Sequence, residues 1–325
     1  MENINSKVKD IDLSSPISKV GGSSDSISGK VFTNANFPTD VEGRTFHLCI
    51  KRGDVASRIL SVGDAGRAER IALSHLENRE EPIKSSRGFV IHTGTFKGIR
   101  ISIIATGMGT SMMDFVVRET RAVIDSSEEM KIIRFGTCGG LQEEDYATTI
   151  VVATEGSVLI RREPDLIGND DSFPYSISRI VPPCSILSNT LFEHMQERTR
   201  GLLFTSNMSN GDKNGKVKCG LDITADSFYS SQGRIGDAFD DRNDKLLEKV
   251  HELYPSARSC QMETFHLFDL ARSSLHRIKA AAACIILASR TTKGGASDSI
   301  ASKEDVTLLE LCGGLACLEA LVKDT

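Results

Sequence analysis

The chain has 325 residues, enough to bury a substantial core, and its formal net charge of −5 arises from interspersed acidic and basic residues. This pattern gives no reason to expect a nucleic acid or a membrane surface as a partner, although a local basic site for a small anion stays possible. No transmembrane segment is expected, because the longest apolar stretch, near the C-terminus, is interrupted by Glu310 and Glu319.

The eight cysteines stand mostly in apolar runs, and the sequence opens without a signal-peptide pattern. We therefore expect reduced thiols and a cytoplasmic location. Metal binding is not expected, because no cysteine pair has zinc-type spacing beside histidines, and "CGGLAC" (312–317) is typical of a helix.

The first 45 residues are rich in Ser, Gly, Asn and Asp and show no sustained period. We expect an irregular extension at 1–45, followed by a single domain at 46–325. Two polar stretches with many turn formers, 161–174 and 205–216, are predicted to be loop insertions in that domain.

Apolar runs that end in glycine or polar residues alternate with helical patterns along the domain. Strands are predicted at 58–64, 100–109, 131–140, 148–160, 216–228 and 278–292, and helical patterns lie at 67–76, 111–124 and 303–323. The alternation predicts an α/β fold with a mixed, mostly parallel central sheet flanked by helices. Ligands of such sheets bind beyond the carboxyl ends of the strands, where the polar and glycine-rich residues of this chain stand.

The first strand ends in "VGDAGR" (62–67). The glycines would let the backbone approach an anion, the following helix would offer free N–H groups, and Arg67 would add a fork of donors. Taken alone, the stretch is better explained as an ordinary strand-to-helix turn with a surface arginine, because short glycine motifs are weak signals.

The stretch "RFGTCGG" (134–140), at the end of a predicted strand, begins with an arginine in a setting that is predicted to be buried. A buried cation without a partner is costly, so Arg134 needs an anion. That anion is either a carboxylate of the protein or a ligand, and the residues leave both explanations open. Thr137 follows in a glycine-lined turn and can donate its hydroxyl to a phosphate oxygen.

A carboxylate stands in apolar surroundings where a strand leads into a helix, at 259–274. Glu263 could accept hydrogen bonds from the hydroxyls of a sugar, with Met262 packed against the sugar ring. Taken alone, Glu263 is better explained as a glutamate at a helix start, where the helix dipole favours negative charge.

The segment "FYSSQGR" (228–234) combines aromatic and polar side chains without an apolar period. Gln232 offers a donor and an acceptor, whereas Arg234 offers donors only. Together they match the carbonyl, N–H, carbonyl edge of uracil, and Phe228 could stack on the ring. The alternative is a solvated loop with incidental aromatics.

Six motifs in order resemble one family. They are "FHL" (46–48), "GDAGR" (63–67), "GMGT" (107–110), "RFGTCGG" (134–140), "FYSSQGR" (228–234) and "QMET" (261–264). Apart from the insertions, residues 46–325 resemble the nucleoside phosphorylases of the first structural class, and "FY-x-x-Q-G-R" resembles the signature of the uridine phosphorylases among them.

The resemblance implies reversible phosphorolysis of uridine to uracil and ribose 1-phosphate, with inorganic phosphate as co-substrate and no cofactor. It implies a phosphate site of Gly63, Arg67, Arg87, Arg134 and Thr137. It implies a ribose site of His47, Met262 and Glu263, and a uracil site of Gly139, Phe228, Gln232, Arg234 and Arg290. The catalytic residues implied are Arg134, Thr137, Gln232 and Arg234.

The resemblance also implies that His47 and Arg87 reach into the site of a neighbouring subunit. We expect a homodimer rather than a hexamer, because the extension and the insertions could block the packing of dimers. The chain departs from the family pattern at three positions. Ala65 replaces Pro, Gln261 replaces Glu, and Gly88 stands where bacterial relatives have a Glu that helps to bind an interface cation, so this cation is in doubt.

Three other functions stay open. A purine nucleoside phosphorylase of the same fold is disfavoured, because the region after the last strand reads Ser289-Arg290-Thr291 and lacks the Asp that protonates a purine. A hydrolytic nucleosidase is disfavoured by the arginines of the phosphate site, since a water nucleophile needs no cationic clamp. The third is a nucleoside- or phosphate-binding protein without catalysis.

Overall fold

A computed structural model describes residues 32–167, 172–202, 217–290 and 300–323. Most of the predicted N-terminal extension therefore lies outside the described residues, as do the whole of the predicted insertion at 205–216 and residues 168–171 of the insertion at 161–174. The proposed domain boundary at residue 46 stays a prediction.

The described part of the chain contains twelve strands, six α-helices and a one-turn 3₁₀ helix at Pro164–Leu166. The strands are Arg58–Val62 (β1), Ile83–Lys84 (β2), Val90–Phe96 (β3), Ile99–Ala105 (β4), Met130–Gly140 (β5), Ile150–Val152 (β6), Ser157–Arg162 (β7), Tyr175–Ile177 (β8), Val217–Cys219 (β9), Leu221–Ala225 (β10), Ala257–Gln261 (β11) and Ile278–Ser289 (β12). The helices are Ala65–His75 (α1), Thr110–Val123 (α2), Ser185–Thr199 (α3), Leu246–Leu253 (α4), Thr264–Ser273 (α5) and Lys303–Val322 (α6).

All of these strands join one mixed sheet. Its main order is β2-β3-β4-β1-β5-β11-β10-β7-β8, and β12 pairs with β5 and β6, while β9 pairs with β6. The pairs β1–β4, β1–β5, β5–β12, β6–β9, β7–β10 and β10–β11 are parallel, and the other five are antiparallel. The predicted α/β fold with a mixed, mostly parallel sheet is confirmed.

The sheet is covered on both faces, as the alternation of side chains along β5 indicates. Ile133 and Phe135 belong to a buried cluster with residues of α1, α3 and α6. Ile132 belongs to a second buried cluster with residues of α2 and α5. Burial on both faces explains why the central strands read as continuous apolar runs in the sequence. None of the described helices is long and apolar enough to cross a membrane.

Two of the predicted strands are each divided in the structure. The run 148–160 forms β6 and β7, separated by a turn in which Gly156 has φ +102°. A Cβ on Gly156 would lie 2.4 Å from the carbonyl oxygen of Val181, so glycine is required at this turn. The run 216–228 likewise divides into β9 and β10. Apolar periodicity does not reveal the break at Gly156, because the strands on both sides of that turn are largely buried.

The strand ends bring the predicted motifs to one edge of the sheet. β1 and β4 run parallel, so that Gly63 and Gly107 follow neighbouring strand ends, and the Gly107 N–H donates to the Gly63 carbonyl at 3.1 Å. The last residues of β5 meet β11 in an antiparallel pairing that sets Cys260 opposite Gly139. The end of β12 lies beside the same residues of β5. This convergence creates the floor of a cavity.

Candidate active site

A cavity of about 560 Å³ opens at this edge of the sheet. Eleven of the residues predicted for the site line it: Gly63, Arg67, Arg134, Thr137, Gly139, Phe228, Gln232, Arg234, Met262, Glu263 and Arg290. They follow or end five different strands, which explains how motifs far apart in the sequence meet in one place.

Two buried arginines converge at one end of the cavity. A Cβ on Gly63 would lie 3.6 Å from Nη1 of Arg67 and 3.8 Å from Nη2 of Arg134. The turn explanation of "VGDAGR" holds for Asp64, which caps α1 by accepting from the Arg67 N–H. It is wrong for the Arg67 side chain, which is 6% exposed and not on the surface. Two guanidinium groups therefore face the same end of the cavity.

Arg67 is held from behind by a carboxylate of the last helix. Its Nε donates to Oε1 of Glu310 at 2.7 Å, and the exposed Arg70 contacts the other oxygen of Glu310. Glu310 is 3% exposed, so both members of the Arg67–Glu310 pair are buried. Pairing of this kind offsets the cost of burying the Arg67 charge and fixes where its guanidinium points.

Arg134 has a protein carboxylate as a partner and still has donors to spare. Its Nη2 donates to Oε2 of Glu263 at 2.9 Å. Its Nε and Nη1 are buried and have no hydrogen-bond partner among the described residues. Unsatisfied charged donors are costly in a buried site, so the arrangement favours an anionic ligand in addition to Glu263.

Glu263 bridges two elements of the site. Its Oε1 accepts from the backbone N–H of Gly109 at 2.6 Å, while Oε2 binds Arg134. Glu263 is the N-cap residue of α5, but its side chain makes no capping hydrogen bond. The helix-dipole explanation of Glu263 is therefore incomplete, because the carboxylate is directed at the cavity residues rather than at its own helix.

At the other end of the cavity Gln232 and Arg234 form a pair. Oε1 of Gln232 accepts from Nε and Nη2 of Arg234 at 3.3 and 3.1 Å, and the guanidinium lies 3.9 Å from the ring centroid of Phe228. Burial lowers the pKa of Arg234, and the nearby charge of Arg290 lowers it further. The solvated-loop explanation is wrong for Gln232, which is 3% exposed, although it holds for Tyr229, which is 71% exposed.

Arg290 lines the cavity beside Gly139 and Gly233. Its backbone N–H donates to the carbonyl of Gly140 at 2.8 Å, and its Nη2 donates to the carbonyl of Gly233 at 3.2 Å. Its Nη1 is buried without a partner in the described part of the chain. A Cβ on Gly139 would lie 2.6 Å from Cδ of Arg290, so only glycine leaves room for this side chain.

A sequence profile described as "Phosphorylase superfamily" matches residues 57–323, which include every residue named so far in the cavity. The chain belongs to the phosphorylase superfamily.

Solved structures from the superfamily resemble this fold closely. A structure from a study of two diverse uridine phosphorylases in the oomycete Phytophthora capsici is 40% identical, covers 91% of this chain and 100% of its own, and superposes with a TM-score of 0.83. A Trypanosoma brucei nucleoside phosphorylase is 20% identical, with coverage of 88% and 99% and a TM-score of 0.67, and supports the fold alone.

Curated superfamily members include both purine and uridine enzymes. A DeoD-type purine nucleoside phosphorylase of Oceanobacillus iheyensis is 38% identical over 33% of this chain and 44% of its own length. A second one, of Alkaliphilus metalliredigens, is 34% identical over 42% of this chain and 57% of its own length, so the chain spans about half the length of these two relatives. A uridine phosphorylase of Thermococcus kodakarensis is 26% identical over 80% of this chain and 83% of its own.

Two residues implied by the superfamily pattern do not line the cavity. The ring of His47 stacks on Phe115 with centroids 3.7 Å apart, and its Nδ1 lies 2.6 Å from Oε1 of Glu119. Arg87 lies over the ring of Phe46, with its Cζ 4.9 Å from the centroid. Because Phe46 and His47 also contact each other, His47 and Arg87 belong to one cluster outside the cavity of their own chain.

The structure adds residues to which the sequence motifs assigned no role. Cys138 and Cys260 line the cavity, and burial raises the pKa of both thiols, that of Cys260 to about 12, so they are neutral near pH 7. Glu310 and Asp222 do not line the cavity, but each contacts a residue that does, Arg67 and Gln261 respectively. In the sequence, each is a carboxylate in an otherwise apolar helix or strand, a pattern that indicates a buried partner. None of the described residues forms a His, Cys, Asp and Glu group that could hold a metal ion.

Proposed function

We propose that this chain is a uridine phosphorylase, which catalyses the reversible phosphorolysis of uridine to uracil and ribose 1-phosphate. The observation that carries the proposal is that one cavity holds the Arg67–Arg134 anion site at one end and the Gln232–Arg234 pair at the other. The 40% identity to a structure from the study of oomycete uridine phosphorylases supports the same activity.

In this proposal phosphate lies beside Gly63, where Arg67, Arg134 and Thr137 donate to its oxygens. The two unpartnered nitrogens of Arg134 supply donors that the described residues do not satisfy. The glycosidic bond then breaks with positive charge developing on the sugar. Phosphate both attacks that carbon and stabilises the charge, so positioning replaces a covalent enzyme intermediate.

Met262 and Glu263 bind the ribose between the two ends of the cavity. Glu263 is already ordered by Arg134 and the Gly109 N–H, so its carboxylate is fixed before substrate binds. Such preorganisation lowers the cost of orienting the sugar for attack.

Negative charge develops on uracil as the bond to the sugar breaks. Arg234 and Gln232 donate to the uracil carbonyls, and Gln232 accepts from the ring N–H, with Phe228 and Gly139 near the ring and Arg290 closing over it. The present bond from Arg234 to Oε1 of Gln232 must therefore exchange for bonds to the base. A pyrimidine needs no acid toward N7, which agrees with Ser289 and Arg290 at the end of the last strand.

The proposal includes a homodimer with shared sites, to which His47 and Arg87 of the partner contribute. Their position outside their own cavity supports such sharing. A native mass that corresponds to six subunits would contradict the dimer. We also propose that the enzyme is cytoplasmic and uses phosphate without a cofactor. Loss of activity when potassium salts are replaced by tetramethylammonium salts would instead indicate an interface cation.

The first test is uracil release from uridine, followed by absorbance, with and without phosphate and with inosine in parallel. Release that requires phosphate, with inosine inert, is the expected result. Release without phosphate would indicate a nucleosidase. Preference for inosine would favour the purine activity named for several curated relatives. No turnover of either nucleoside, together with binding, would favour a protein without catalysis.

A further inference from the structure

A network of buried polar groups lies beneath the segment that carries Glu263. Its centre is Asp222 on β10, which is 0% exposed. Oδ1 of Asp222 accepts from Oγ of Ser259 at 2.7 Å, and Oδ2 accepts from Oγ of Ser157 at 2.8 Å and from Nε2 of Gln261 at 2.6 Å. An ionised carboxylate accepts and never donates, so each of these neighbours must present a hydrogen to it.

Gln261 connects Asp222 to the backbone at the start of α5. Its Nε2 donates to Asp222 and to Oγ1 of Thr224, at 2.6 and 2.8 Å. Its Oε1 is thereby turned toward the start of α5, where it accepts from the N–H groups of Met262 at 2.8 Å and Glu263 at 2.6 Å. A flipped amide would place Oε1 against the carboxylate and Nε2 against two N–H donors. Asp222 therefore permits only one orientation of Gln261.

The same contacts connect this network to the cavity. The backbone N–H of Glu263 is held by Gln261, and the side chain of Glu263 spans from the Gly109 N–H to Arg134. A rotation at the start of α5 would move the carboxylate relative to both. The position of Glu263 thus depends on a hydrogen-bond chain that begins at Asp222 on the neighbouring strand.

We propose that Asp222 and Gln261 are positioning residues of the uridine reaction. Asp222 fixes the orientation of the Gln261 amide, and Gln261 holds the backbone of Met262 and Glu263 so that the carboxylate meets the ribose. The inference rests on the proposed function. The contact between Asp222 and Gln261 also explains why this chain has Gln261 at the position where the family pattern has Glu. A glutamate there would set two carboxylates against each other at the 2.6 Å distance that the amide now spans.

The test exchanges the two groups. Gln261→Glu places a second acid beside Asp222, and Asp222→Asn removes the group that orients the amide. We expect each single variant to raise the KM for uridine about tenfold. In the double variant, the new amide at position 222 can donate to the new carboxylate at position 261, whose other oxygen can accept from the two backbone N–H groups. We expect the double variant to return to within about threefold of the wild-type KM.

Ser259→Ala is the matched control, because Ser259 donates to Asp222 and makes no hydrogen bond with Gln261. We expect it to lower the melting temperature while the KM for uridine stays at the wild-type value. KM does not depend on the amount of folded enzyme, so it separates positioning from a purely structural role.

Several results would overturn the inference. One is a wild-type KM for uridine in both single variants, with lower melting temperatures alone. Another is a folded double variant that is no better than the worse single variant. If neither single variant folds, Thr224→Val loosens Gln261 instead, and an unchanged KM would overturn the inference there. If the wild-type chain releases no uracil, both the proposed function and this inference are wrong. If the wild type is active, the KM values of the variants test the positioning roles of Asp222 and Gln261 alone.

Discussion

Glu310 lies directly behind Arg67, with its Oε1 2.7 Å from Nε of the guanidinium and both side chains buried. The contact leaves the outer edge of the guanidinium directed toward Gly63 and the cavity. A carboxylate on the last helix therefore holds the guanidinium of an arginine on the first helix at the edge of the cavity. The relationship joins residues 243 positions apart, which no local motif could indicate.

Glu310→Gln should weaken phosphate binding and leave uridine binding nearly unchanged. Arg67 would keep a hydrogen bond but lose its buried counter-charge, which destabilises folded proteins by about 3–5 kcal/mol. We expect a rise in the KM for phosphate of roughly tenfold, a small change in the KM for uridine, and a lower free energy of unfolding. Phosphate saturation and urea unfolding measure these quantities.

The control is Glu304→Gln, the same change at an exposed position in the first turn of the same helix. It should leave the KM for phosphate unchanged. If Glu310→Gln behaves like this control in phosphate saturation, Glu310 does not position Arg67.

Arg234→Gln should abolish most of the activity and leave the fold intact. The side chain is only half-buried; it donates to Gln232 and lies over the ring of Phe228. Removal of one donor to a developing negative charge lowers the rate by about 10²–10³. We expect a loss of this size in kcat/KM for uridine, with the KM for phosphate and the melting temperature close to wild type. Arg179→Gln, at an exposed site away from the cavity, is the control and should be fully active.

The sequence indicated the cavity residues because most of them stand at the end of an apolar run, and strand ends of a parallel sheet meet at one edge. Arg134 and Arg290 could be placed in this way, whereas Gln232 was indicated by its hydrogen-bonding groups and by the family resemblance. Glu310 and Asp222 could not, since their roles depend on which helix packs behind which strand. The division of 148–160 into β6 and β7 was missed for a similar reason. The turn at Gly156 is specified by contact with Val181, which lies far along the chain.

Mixing two inactive variants tests whether active sites are shared between subunits. Arg87 lies outside the cavity of its own chain, whereas Arg234 lines that cavity. In a mixed dimer of Arg87→Ala and Arg234→Ala, one site would carry both changes and the other neither. We expect partial recovery of uracil release on mixing. Absence of recovery, in samples where native mass spectrometry detects the mixed dimer, would contradict shared sites.

The stability contributed by Asp222 should fall as the pH rises. Burial raises the pKa of Asp222 from 3.8 to about 6, opposed by hydrogen bonds from its neighbours. The folded state therefore holds this proton more tightly than the unfolded state between about pH 4 and 6, and stability is lost as the pH rises through that window. A shift of about two units corresponds to about 3 kcal/mol.

Asp222→Asn cannot ionise and should lack this dependence. We expect the difference in unfolding free energy, wild type minus variant, to decrease from about pH 4 to about pH 7 in urea unfolding. The comparison cancels the titration of the other carboxylates, which both chains share. A difference that rises with pH would mean that Asp222 is held ionised by its donors, with a lowered rather than a raised pKa.

Gly313→Ala should displace Phe135 and thereby disturb Arg67 at the proposed phosphate end of the cavity. Gly313 lies within α6, and a Cβ there would be 2.3 Å from Cζ of Phe135. An alanine favours the helix by about 1 kcal/mol, but overpacking of a rigid core costs about 1–3 kcal/mol. The Phe135 ring must move, and the carbonyl of Phe135 accepts from Nη1 of Arg67 at 3.4 Å, beside Arg134 in the same strand. We expect lower stability and a severalfold rise in the KM for phosphate.

The control is Gly236→Ala, where a Cβ would meet nothing within 4 Å; it should change neither the stability nor the KM for phosphate. An unchanged KM for phosphate in a destabilised Gly313→Ala would show that the helix-to-strand contact supports the fold alone.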